Sequence, residues 1–110
     1  DKLLYVGLPD AQERFEIITA TSKRTPWAED VDLAAIAADC RCDGMSGADV
    51  TSLVREASLN AVRESVNSID ESFAHVSKRH VELAFAKVRP SISHQDMIAY
   101  QRIHDNIANK

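Results

Sequence analysis

Gly44-Met45-Ser46-Gly47-Ala48-Asp49 is the stretch that decides how this chain folds. It sets a turn before a capped helix, because the Ser46 hydroxyl can accept a first-turn N–H and Asp49 can reach back to the Ser46 N–H. Gly47 and Ala48 follow with almost no side chain. Such a helix start lets a flat, anionic ligand approach closely, although a plain helix cap explains the same spacing.

Two helices are predicted before this stretch. Asp10 with Glu13 forms a capping box for a helix over 11–23, and Asp32 caps a short second helix. In both helices apolar residues recur at spacings of three and four, which predicts one buried face for each. The residues predicted on these two faces are Phe15, Ile17, Ile18, Leu33, Ile36, Ala37 and Cys40.

Three helices are predicted from Ser46 onward, with a polar surface loop over 67–74 between the first two. The first reaches Val66, the second is capped by Ser77 and the last begins at Ser93. Their predicted apolar faces hold Val50, Leu53, Val54, Ala57 and Ala61; Val81, Ala84, Phe85 and Val88; and Met97, Tyr100, Ile103 and Ile107.

The chain is therefore predicted to be all-α, a small four- to five-helix bundle after a short extended N-terminal segment at Leu3–Val6. Helices this short are marginal alone and must pack their apolar faces together. The opening Asp1-Lys2, without an initiator Met, suggests a piece of a larger protein.

Composition and motifs exclude several functions. The net charge is −4 and the basic residues are scattered, so direct nucleic-acid binding is not expected; no membrane span is expected either. Cys40 and Cys42 could join His75 and His80 at a zinc ion, but the Cys-x-Cys spacing argues against a metal site.

His80 is expected at the surface, like His94 and His104. The sequence has no phosphate loop, H-E-x-x-H or G-x-S-x-G, so no catalytic residue is assigned.

The ordered motifs carry a resemblance. Four segments together resemble the C-terminal lid of AAA ATPases such as valosin-containing protein: Asp1–Pro9, Arg14–Ile18, Asp30–Ala37 and Met45–Val50. The tail looks like the second ATPase module of this group, through His80–Phe85, Ser91–Ser93, Asp96 and Tyr100. Arg41-Cys42-Asp43 is most similar to nuclear valosin-containing-protein-like ATPases. The resemblance implies that residues 1–9 are the end of an α/β ATPase part and a hinge, and that residues 10–110 are the helical lid.

The same resemblance implies a nucleotide site. ATP would lie between the lid and the α/β part, with Gly47 and Ala48 facing adenosine and phosphate. Ile17 and Thr21 match positions that line the adenine pocket. The phosphate loop and the acidic Mg²⁺-binding motif of such enzymes have no counterpart in this chain, so hydrolysis is expected of the parent enzyme and not of this piece.

The implied parent is a hexameric motor that remodels or extracts protein partners or adaptors. The lid would contact its own α/β part and the neighbouring subunits of the homo-hexamer. Members of this group imply a nuclear or nucleolar location and a role in maturation of the large ribosomal subunit. The alternative is a free-standing helical interaction or adaptor module without nucleotide.

Overall fold

The structure, a computed structural model, describes residues 8–67, 75–90, 98–99 and 102–103. Within these residues the predicted all-α fold is confirmed. In chain order the elements are α1 (Ala11–Thr21), α2 (Leu33–Ala38), a 3₁₀ turn (Cys40–Cys42), α3 (Gly47–Val66) and α4 (Lys78–Lys87). The segment predicted at Leu3–Val6, most of the 67–74 loop and most of the helix predicted from Ser93 lie outside the described residues.

The helices begin where the sequence places their caps. The Asp10 carboxylate accepts the Glu13 N–H at 2.8 Å, and the Glu13 carboxylate accepts the Asp10 N–H at 3.1 Å. Asp32 caps α2 by accepting from Ala34 and Ala35 at 3.0 and 3.2 Å. Each cap satisfies N–H groups that the first helical turn leaves without a carbonyl.

The core follows one face of α3, which packs against both α4 and α1, while α1 also packs against α2. Ion pairs join Glu56 to Lys87 and Glu64 to Arg79, so α3 and α4 run antiparallel. The buried apolar residues come from every helix and from the turns between them: Ile18, Ala37, Cys42, Met45, Val50, Leu53, Val54, Ala57, Ala61, Val76, Val81, Ala84 and Phe85.

Two boundary predictions are wrong. Helix α1 ends at Thr21 instead of residue 23, because both the N–H and the hydroxyl of Ser22 donate to the Ile18 carbonyl and close the helix there. Cys40 does not extend the apolar face of α2. The chain turns at Asp39 into the 3₁₀ turn, which exposes Cys40 and buries Cys42 instead.

The prediction of a surface role for His80 is also wrong, because this residue is only 2% exposed. Its Nδ1 accepts the Ser77 N–H at 2.9 Å, and its Nε2 lies 2.9 Å from a Glu64 carboxylate oxygen. Since a backbone N–H donates to Nδ1, the ring hydrogen is on Nε2 and donates to Glu64. His80 thus joins the cap of α4 to the end of α3.

Arg41 joins the 3₁₀ turn to α4. Its guanidinium pairs with Asp39 at 2.9 Å and with Glu82 at 2.8 Å, and it stacks over the Phe85 ring at 4.0 Å. Hydrogen bonds from Arg41 hold the pKa of both carboxyls below their usual range. These groups line a groove of about 620 Å³ between α2 and α4.

Arg41→Met should lower the free energy of unfolding at pH 7 by about 0.5–1 kcal/mol, because the paired groups are partly exposed. A carboxyl whose pKa is lowered in the folded state stabilises the fold above its unfolded pKa and loses this effect as the pH falls through the folded pKa. The difference between wild type and variant should therefore shrink between about pH 5 and pH 3. Urea unfolding at pH 7 and at pH 3 measures this difference in stability, and Arg55→Met, at an exposed arginine, is the control. A difference that persists unchanged at the lower pH would contradict the ion-pair explanation.

Candidate functional site

The start of α3 is built by three neighbouring residues with separate tasks. Gly44 has φ of 87°, a left-handed conformation that favours glycine and turns the chain toward the helix. Met45 is fully buried and anchors this turn in the core. The Ser46 hydroxyl accepts the Asp49 N–H at 3.1 Å, and Asp49 accepts the Ser46 N–H at 3.0 Å, as the sequence predicts.

This cap leaves the helix start open to a ligand. It uses the N–H groups of Ser46 and Asp49, whereas those of Gly47 and Ala48 lie in the first turn, where no intrahelical carbonyl reaches them. Ala48 is exposed and Gly47 is partly exposed. Backbone N–H groups and the helix dipole make such a start favourable for an anion.

A surface depression of about 380 Å³ lies between α1 and the start of α3. Its size is within the range of about 300–1,000 Å³ typical of small-molecule sites. Ile17 gives it an apolar wall, and a Cβ added at Gly47 would lie 3.7 Å from the Ile17 Cδ1 atom. The lining residues are Pro9, Glu13, Glu16, Ile17, Ala20 and Gly47.

The structure brings together two of the four residues predicted to bind nucleotide. Ile17 and Gly47 are close neighbours in the lining of the depression. Ala48 lies beside it on the exposed first turn of α3. Thr21 lies one turn farther along α1, and its hydroxyl donates to the Ile17 carbonyl at 2.8 Å. Thr21 lines a different depression.

Charge divides the site into two parts. Glu13 and Glu16 line the depression, and their negative charges disfavour an anionic group there. The backbone N–H groups in the first turn of α3 favour an anionic group. The arrangement therefore suits a ligand with an apolar or amino-bearing ring at Ile17 and an anionic group at Ala48.

A family model described as the AAA+ lid domain matches residues 30–78, from the Asp32 cap to the start of α4. The chain belongs to the AAA+ lid domain family. The lid is 43% identical to a mouse protein named nuclear valosin-containing protein-like, over 98% of this chain and 14% of that protein. It is 34% identical to a Dictyostelium discoideum protein named putative ribosome biogenesis ATPase nvl, over 97% of this chain and 12% of that protein. The chain thus spans about a seventh of the relatives' length.

The fold matches as well. A solved chain from a study titled Structural Basis for Katanin Self-Assembly superposes with a TM-score of 0.67 at 30% identity. The match covers 86% of the lid and 36% of that chain. The region shared with it is therefore only a part of a longer chain.

The two cysteines of the lid have different surroundings. Burial raises the pKa of the Cys42 thiol to about 11, and its Sγ donates to the Ile36 carbonyl at 3.3 Å. Cys42 is therefore a neutral, packed thiol.

Across residues 8–67 and 75–90, the His, Cys, Asp and Glu side chains form no group of three that could hold a metal ion. In the same part of the chain, no helix is long and apolar enough to cross a membrane.

Sequence reasoning gave Arg14 no role, although the lid buries it beside the candidate site. Only 6% of Arg14 is exposed, and its side chain contacts Pro9, Ala37 and Asp43. Helical periodicity places Arg14 one turn before Ile18 and thus on the inner face of α1, which is the one signal that could have indicated its burial.

Proposed function

We propose that this lid closes over the ATP site of a hexameric AAA ATPase, with adenosine against Ile17 and Gly47 and the phosphates toward Ala48. The observation that carries the proposal is that Gly47 and Ile17 lie side by side in the lining of an open depression at the start of α3. The glycine keeps the wall low at this point, because an added Cβ would already lie 3.7 Å from the Ile17 Cδ1 atom.

The charges of the site support the same orientation. An adenine ring fits beside the apolar Ile17 wall, and its amino group is compatible with the Glu13 and Glu16 carboxylates nearby. Phosphate groups suit the N–H groups and the positive dipole of the α3 start. Phosphate-loop and Mg²⁺ chemistry would come from the rest of the parent enzyme, while the lid supplies one wall of the pocket.

The relatives support the wider role in the cell. Both are large proteins, and one carries ribosome biogenesis ATPase in its name. We place the parent in the nucleus or nucleolus, as a homo-hexamer that uses ATP to remodel protein partners in large-subunit maturation. The katanin comparison supports packing of this lid against a neighbouring subunit. The free-standing adaptor is less well supported, because the relatives named as ATPases match nearly the whole chain.

Substitution of Gly47 in the full-length ATPase tests the site. Gly47→Ala adds a Cβ in ordinary contact with Ile17, so it should keep the fold and raise the ATP KM about twofold, and the larger Gly47→Val should raise it at least fivefold. ATPase kinetics and titration with a fluorescent ATP analogue measure the effect. Ala86→Val, at an exposed position of α4, is the control. If both Gly47 variants keep the wild-type KM and affinity, the proposal is wrong.

A further inference from the structure

Arg14 sits at the centre of a three-way contact beneath the candidate site. Its Nε donates to the Ala37 carbonyl at 2.8 Å, and its Nη1 donates to the Pro9 carbonyl at 3.1 Å. Its Nη2 lies 3.5 Å from a carboxylate oxygen of Asp43. The side chain of Arg14 is 7% exposed, whereas that of Asp43 is 55% exposed. The two carbonyls are therefore the main partners of the buried guanidinium, and the ion pair is secondary.

The three partners come from the segments before α1, at the end of α2 and before α3, and among them Pro9 lines the depression. Pro9 directly precedes α1 and lines the depression itself. Ala37 lies in the last turn of α2, where a carbonyl has no intrahelical donor. Asp43 directly precedes the Gly44 turn that leads into α3. A single side chain thus bonds the segment before α1 to the end of α2 and also pairs with Asp43, in the segment that leads to Gly47.

The planar fork of arginine explains why this residue suits the position. A guanidinium holds its donors in fixed directions, so bonds to two carbonyls define both distance and orientation. Lysine would present one ammonium on a flexible stem and could not reproduce the two directed bonds. Arg14 and Ile17 lie within one turn of α1, so the same helix carries the guanidinium and the apolar side chain that lines the depression.

We propose that Arg14 is a positioning residue for the nucleotide. Its two directed bonds hold Pro9, at the entry to α1, against the end of α2, and its ion pair with Asp43 reaches the segment before α3. Ile17 and Gly47 therefore keep their relative positions when the lid turns about the chain that enters it. This inference rests on the proposed function, and it assigns Arg14 to nucleotide affinity in addition to its part in packing. Arg14 need not touch the ligand to act in this way.

The test uses the full-length ATPase with Arg14→Met and Arg14→Lys. Arg14→Met keeps the length of the side chain and removes all donors, so the ATP KM should rise at least fivefold while kcat changes less than twofold. Arg14→Lys should give an intermediate KM. Titration with a fluorescent ATP analogue should show the same order of affinities, and it also reports on variants with impaired turnover.

Val81→Ala separates positioning from simple loss of stability. Val81 is buried in α4 and does not line the depression, so the variant weakens the core without moving Pro9 or Gly47. All assays are run below the unfolding temperature of each variant. We expect Val81→Ala to keep the ATP KM within twofold of wild type.

The inference is overturned if the Arg14 variants keep the wild-type KM and affinity, or if Val81→Ala raises KM as much as Arg14→Met does. If Arg14→Met does not fold, the same criteria apply to Arg14→Lys. The Gly47 variants distinguish the two possible failures. A raised KM in Gly47→Val with an unchanged KM in the Arg14 variants refutes only the positioning role. An unchanged KM in both sets refutes the proposed function as well.

Discussion

Leu53→Ala should lower the free energy of unfolding of this chain by about 2–5 kcal/mol, the largest effect expected of any single substitution here. Leu53 is 1% exposed in the middle of α3, the helix that packs against both α1 and α4. Its removal loses the transfer free energy of the side chain and leaves a cavity that three helices would have to close. Because domains of this size have a net stability of only about 5–15 kcal/mol, the loss is a large share of the total.

Leu83→Ala is the matched control for Leu53→Ala. It makes the same chemical change at a side chain that is 59% exposed on α4, so we expect an effect within about 0.5 kcal/mol. Urea unfolding followed by circular dichroism measures both variants under the same conditions. Equal losses at the two positions would contradict the assignment of Leu53 to the core, because burial is what distinguishes the two leucines.

His80→Ala should destabilise the chain by about 2–3 kcal/mol, since it leaves a buried donor without its acceptor and opens a cavity. The Ser77 N–H loses its bond to Nδ1, and Glu64 loses the Nε2 donor. Glu64 is half exposed and can turn to water, so the backbone N–H at the α4 cap carries most of the cost.

Two further substitutions identify which bond of His80 matters. His80→Gln places a side-chain acceptor three residues after Ser77, the spacing of an ordinary capping box, so it should recover about half of the lost stability. Lys23→Ala, at an exposed position after α1, should change stability by less than about 0.5 kcal/mol. Thermal unfolding compares the three variants. A Gln variant as unstable as the Ala variant would show that packing, not the cap, accounts for the role of His80.

Much of the fold could be predicted from short-range patterns. The caps at Asp10, Asp32 and Ser46 start their helices at the predicted residues, because a cap depends on groups no more than about four positions apart. The apolar stripe of α3 is likewise buried as its period predicts. The end of α1 was missed because it depends on the Ser22 hydroxyl, whose competition with the helix leaves no periodic signal.

The candidate site was only partly accessible to the same reasoning. The capping box at Ser46 and the small residues after it could be found in the sequence, and the nucleotide role of the four predicted residues stays a prediction. The packing of α1 on α3 decides which predicted residues share the depression. It brings Ile17 to Gly47 and leaves Thr21 outside the lining. The sequence predicts Glu13 only as the capping-box partner of Asp10 and assigns no role to Glu16, and packing places both residues in the lining of the depression.

The sequence by itself determined an all-α lid, the starts of its helices and the open, small-residue start of α3, because these depend on neighbouring residues. The tertiary structure alone decided which polar side chains are buried and which groups they bond. Arg14 takes its main partners from the Pro9 and Ala37 carbonyls, and His80 depends on Glu64 at the far end of α3. A polar side chain can be buried only where other elements satisfy its hydrogen bonds, and those elements meet only once the helices have packed.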